Sequence, residues 1–129
     1  MPARHLAPAP LTPIPFGSVG GALADGAAVA NGVESSEIIN TSNCKSGRIR
    51  FQATAAGSLR LVPVRADAPN TEYTLEAASA ASPVAVAANT EVFANLDQLN
   101  GEGLVKVGFT PSADGVVTFC DQMMLKNGN

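Results

Sequence analysis

The sequence predicts an all-β protein, a jelly-roll-like sandwich of about eight short antiparallel strands. Three observations carry that prediction. From Ser36 onward, short runs rich in Val, Ile, Phe and Thr alternate with clusters of Gly, Asn, Asp, Ser and Pro, the punctuation of an all-β chain. Within several runs, apolar and polar residues alternate with period two, as in a strand with one buried face. No segment shows a capped 3.6-residue period, although 72–81 (EYTLEAASAA) has the composition for a helical turn or two.

Residues 1–35 read differently. Pro2, Pro8, Pro10, Pro13 and Pro15 interrupt any helix and withhold donors from a sheet. Gly17, Gly20, Gly21 and Gly26 follow among alanines. The expectation is an extended arm with two fates open to it, a solvated tail or a strap ordered on a partner. The apolar residues Leu6, Leu11, Ile14, Phe16 and Val19 favour the strap and are candidate partner contacts, since a solvating tail is more often charged.

The sandwich itself is expected over 36–129. Strands are read at 36–41, 47–53, 58–64, 71–76, 83–88, 90–95, 103–110 and 115–121. The stretch 47–67, GRIRFQATAAGSLRLVPVRAD, reads as a hairpin around Ala55-Ala56-Gly57, with the glycine supplying a left-handed turn residue. In that register Phe51 opposes Leu61 and Ala53 opposes Leu59. Ile49, Phe51, Leu59 and Leu61 then share an inner face, while Arg48, Arg50, Gln52 and Arg60 share an outer one. Residues 103–119 read as a second hairpin around Pro111-Ser112-Ala113-Asp114-Gly115. Val105, Val107, Phe109, Val117 and Phe119 would face inward. Continued alternation would bury Asp121, so a bulge or the end of the strand is expected there.

Composition narrows function. The charged fraction, 15 %, is below the usual quarter or so, which suggests a surface partly covered by neighbouring subunits. Eight basic residues against eleven acidic ones, a net charge of −3 and no basic run argue against binding nucleic acid. No window approaches the ~20 apolar residues of a membrane span. Prolines interrupt the first sixteen residues, which do not resemble a signal peptide. No role is therefore assigned to the triplet Asn40-Thr41-Ser42, although it matches a glycosylation acceptor.

Little in the sequence points to catalysis. His5 is the only histidine and lies in the arm, so nucleophile–histidine arrangements find no support. The carboxylates are scattered and read as solvated acids. Cys44 and Cys120 are too few for a structural zinc site. They read as two reduced thiols, with pairing as the alternative. Asp97 and Glu102 fall short of a calcium loop, and Gly17–Gly21 lacks the ending of a phosphate loop. No enzyme activity, cofactor or small-molecule substrate is expected. A chain without Trp and with one tyrosine, Tyr73, offers few stacking platforms for a sugar. The arginine face of Arg48, Arg50 and Arg60 reads as the wet side of a sheet, with contact to an acidic protein rim as the alternative.

The segments ADGAAVANGVESSEIINTSNCKSGRIRFQATAAGSLRLVPVRAD (24–67) and LDQLNGEGLVKVGFTPSADGVVTF (96–119) resemble the small β-sandwich virion proteins of tailed bacteriophages, capsid decoration or cement proteins above all. The similarity covers most of 24–124 in strand and turn style, without an invariant motif that would transfer functional residues. The resemblance implies a dimer or trimer made in the host cytoplasm and mounted on the capsid surface, bound to the major capsid protein and to its own copies. It also implies an apolar arm reaching to a neighbour. A tail, fibre or head–tail connector component, or a surface glycan-binding module, is the alternative.

Overall fold

The computed structural model describes residues 12–42, 44–64, 81–96 and 103–126. They form an all-β sandwich of two antiparallel sheets. In chain order the strands are β1 (Thr12–Ser18), β2 (Ala28–Val29), β3 (Ser35–Asn40), β4 (Cys44–Ala53), β5 (Gly57–Val64), β6 (Ala81–Val86), β7 (Val92–Asn95), β8 (Leu104–Pro111) and β9 (Gly115–Lys126), with one 3-10 turn at Gly21–Leu23. One sheet runs β1-β9-β4-β7, with β2 also paired to β9; the other runs β3-β8-β5-β6. The pairs β1·β9, β3·β8, β4·β7 and β5·β6 are nested one inside the next. The pairs β4·β9 and β5·β8 then close each sheet.

This order corrects both predicted hairpins. β4 and β5 are consecutive but lie in opposite sheets, and so do β8 and β9. The loops 54–56 and 112–114 therefore carry the chain from one layer to the other. Side-chain alternation specifies which way a residue faces; it is silent on the strand beside it. The predicted inner residues Ile49, Phe51, Leu59, Leu61, Val105, Val107, Phe109 and Val117 are all buried, but the two halves of each set meet across the sandwich. Phe51 of β4 packs on Phe109 of β8 with ring centroids 4.6 Å apart and planes tilted by 46°, a favourable aromatic geometry.

Gly57 also has a different role from the one expected. Its φ is not positive. A Cβ there would sit 2.7 Å from the Pro111 Cα and 2.8 Å from the Phe109 ring, so the glycine permits β5 to approach β8 closely.

The expected bulge is present, slightly earlier than Asp121. Ala53 pairs with Val117 and Gln52 with Phe119, leaving Thr118 as the extra residue of β9. The shift turns Phe119 outward, against expectation, and puts Cys120 inward opposite Phe51. Asp121 then faces outward beside Arg50, and β9 continues to Lys126.

The sequence placed residues 1–35 outside the sandwich, but the described part of that segment, residues 12–35, is built into it. β1 lies along β9 at the edge of the five-stranded sheet. An edge strand tolerates Pro13 and Pro15 because only one of its sides must supply donors. Leu23 and Val29 are buried in the core cluster, and Val19 packs against it. The Val19 N–H donates to the Cys120 carbonyl at 2.8 Å. Leu6 and Leu11, the predicted strand 71–76, Tyr73 and the pair Asp97/Glu102 lie outside the described residues.

Candidate binding surface

The two outer faces of the sandwich carry the charged side chains, and they divide the predicted arginine set. Arg48 and Arg50 are on β4, in the five-stranded sheet, whereas Arg60 is on β5, in the other sheet. The expected single arginine face is therefore two faces on opposite sides of the molecule.

Arg60 is held by Glu34 through two hydrogen bonds, Nε to Oε2 and Nη2 to Oε1, the latter 2.9 Å long. The Lys106 Nζ lies 3.9 Å from the same carboxylate. Glu34 reaches this position because Gly108, paired with Arg60 across β5·β8, has no side chain to stand in its way. A bidentate guanidinium–carboxylate pair is the strongest form of such a contact.

Arg50 is also paired with carboxylates. Its Nη2 donates to Asp121 Oδ2 at 2.6 Å, its Nη1 lies 3.6 Å from Glu91, and its guanidinium sits 4.4 Å from the Phe119 ring centroid. Asp121 and Phe119 reach it because of the β9 bulge. Both arginines are thus internally neutralised.

Arg48 differs. Its guanidinium lies 4.9 Å from the centroid of Phe93, a cation–π contact. Among the described residues no carboxylate lies within ion-pair distance of it. Asn95, Arg48 and Met123 stand in one row across β7, β4 and β9. With Ser46, Gly47, Phe93 and Met124 they line an open hollow of about 420 Å³ on the outer face of the five-stranded sheet. Phe93 is 45 % exposed, an unusual position for a large ring in a domain with few aromatics.

The sequence reading missed Phe93, Asn95, Ser46 and Met123. A signal for Phe93 existed in the run Val92-Phe93-Ala94, because alternation cannot turn three consecutive apolar residues inward. Ala94 is the buried one and Phe93 faces out.

Neither cysteine takes part in this surface chemistry. Cys44 and Cys120 are buried and unbridged. Cys44 pairs with Lys126 of β9, six residues beyond Cys120. That offset is about 20 Å along a strand, far beyond disulfide reach. Burial, followed by the carboxylates of Asp121 and Asp25, pushes the Cys120 thiol up to about 12. Among the described residues, no group of three His, Cys, Asp or Glu side chains is placed to hold a metal ion.

Comparison with known proteins returns no matching family model, no matching curated protein and no matching solved structure.

Proposed function

We propose that this chain is a structural protein of a tailed-phage virion, a capsid decoration (cement) protein that binds the assembled head lattice and its own copies. The observation that carries this reading is the nested strand pairing. Setting the two-residue β2 aside, first pairs with last, second with seventh, third with sixth and fourth with fifth. Closure then comes from β9·β4 and β8·β5. We read this as one long antiparallel ribbon rolled into two sheets, a jelly roll, the architecture that viral capsid domains share with lectins.

Two further features support the reading. The internal neutralisation of Arg50 and Arg60 leaves a rigid, weakly charged body suited to packing against neighbours. Residues 1–11, with Leu6 and Leu11, lead directly into the edge strand β1. On this reading they are the arm that contacts an adjacent subunit. A protein that binds the assembled lattice but not separate subunits stabilises the lattice by mass action.

The test is copy counting by mass spectrometry on purified particles, combined with deletion of residues 1–11. A copy number matching the head lattice and weaker particle binding by the truncated chain are expected. A few copies per particle would move the protein to the tail or neck. Absence from the particle would overturn the reading.

A further inference from the structure

We propose that the hollow around Arg48 and Phe93 is a binding site for a carboxylate-bearing pyranose, the uronate type of unit found in acidic polysaccharides. This inference stands independently of the virion reading.

Its first support is the contrast among Arg48, Arg50 and Arg60, the three arginines of the described residues. Arg50 and Arg60 are neutralised by Asp121, Glu91 and Glu34. Arg48 lines the hollow with an aromatic partner and, among the described residues, no carboxylate partner. Among the described residues it is a cation with no ion-pair partner, and its guanidinium suits an anion. Guanidinium presents a planar fork that matches a carboxylate with two parallel donors.

The second support is the remaining lining. Phe93 and Met123 supply apolar surface, and Ser46 and Asn95 supply a hydroxyl and an amide on the same rim. A mostly apolar concavity with a few convergent polar groups is the usual form of a small-ligand site, and about 420 Å³ lies within its usual range. A pyranose has the complementary surface: apolar C–H groups for Met123 and for the part of Phe93 that Arg48 leaves exposed, and hydroxyls around its edge for Ser46. A carboxylate at one corner meets Arg48. A neutral sugar would leave the guanidinium without its anion, and a simple carboxylate would leave Met123 and the exposed part of Phe93 without apolar contact.

The third support is placement. The lining comes from three neighbouring strands, β4, β7 and β9, held in register by the ladder. The backbone that carries these groups is fixed in spacing before any ligand arrives, which limits the entropy lost on binding.

The experiment is an NMR titration of the ¹⁵N-labelled full chain with methyl glucuronide, methyl glucoside, acetate and an N-acetyl-aspartate amide, each used separately. Methyl glucuronide is expected to shift the amides of Ser46, Arg48, Phe93 and Asn95, saturably. The neutral glycoside and the two simple carboxylates are expected to bind at least about tenfold more weakly, as the loss of a charge-assisted contact or of apolar contact implies. Arg48→Ala and Phe93→Ala should each weaken glucuronide binding by about tenfold or more. Arg48→Lys should restore it only in part, because a point charge lacks the fork. Ile38→Thr, on the opposite sheet, should leave it unchanged. Equal binding of acetate or the aspartate amide would overturn the saccharide assignment in favour of an acidic protein contact. Equal binding of methyl glucoside would remove Arg48's role, and no saturable shift with any probe would overturn the site.

Discussion

The Glu34 carboxylate grips the Arg60 guanidinium at two points while lying over the backbone of Gly108. Residues far apart in sequence thus form one unit on the outer face of the four-stranded sheet, with Lys106 at its margin. Glu34→Ala should leave two cations facing each other across that surface. The expected cost is about 1 kcal/mol, read as a fall of about 4 °C in Tm. Arg60→Ala alone should cost a similar amount. The double variant should cost less than the sum, and a simple sum in the double-mutant cycle would refute the pairing.

Gly108→Ala tests the same unit from beneath. The new Cβ would occupy the space of the Glu34 carboxylate. In the wild-type background the substitution should displace Glu34 and destabilise by about 1–2 kcal/mol. In the Glu34→Ala background most of that cost should vanish, because the nearest atoms around the built Cβ belong to Glu34 itself. Denaturant midpoints of the four proteins provide the measurement.

Gly57→Ala should behave otherwise. Here the added atom meets backbone and an aromatic core residue, with Pro111 Cα at 2.7 Å and Phe109 at 2.8 Å. Neither yields readily, so the expected loss is about 2–3 kcal/mol, with no surface variant that relieves it. A neutral Gly57→Ala would contradict the close approach of β5 to β8.

Phe51→Ala should remove one member of the tilted aromatic pair between the layers and cost about 3–5 kcal/mol. Phe109→Ala should cost the same, and the pair should couple strongly in a cycle, since each packs against the other at 4.6 Å. Unfolding by urea is the appropriate measurement.

Cys120 makes stability sensitive to alkali. Its native thiol is held up at about 12, above an ordinary 9.0, so the unfolded chain ionises first. The stabilising contribution of the neutral thiol is complete below about pH 9 and is lost as pH rises through the native value. Cys120→Ala should flatten this arm of the stability–pH curve. In the native protein iodoacetamide should spare Cys120 at pH 8.5, and unfolding should expose it to reaction.

The inner residues were legible in the sequence because period-two alternation is a local property. Ile49, Phe51, Leu59, Leu61, Val105, Val107 and Phe109 all stand where alternation put them. The bulge before Asp121 was legible for a related reason, since a carboxylate due to face inward forces an interruption. Lateral order was not legible. The turn chemistry at 54–57 and 111–115 suits a hairpin and a crossing between sheets equally well, and only the whole chain's pairing decides between them. The partners of the arginines were hidden by distance: Glu34 lies 26 positions from Arg60, and Asp121 lies 71 from Arg50. β1 was obscured by its prolines, which exclude a central strand while permitting an edge.

The placement of β9 between β1 and β4 has a consequence for how the molecule comes into being. During synthesis β1 and β4 leave the ribosome long before residues 115–126, the strand that joins them. β3 and β5 likewise wait for β8. Neither sheet can close on the growing chain until its last strand arrives. Folding is therefore a late event dominated by distant pairings, and such topologies fold slowly. In the meantime the apolar strands made early stand exposed, and crowded nascent chains should aggregate at that stage more readily than the finished protein does.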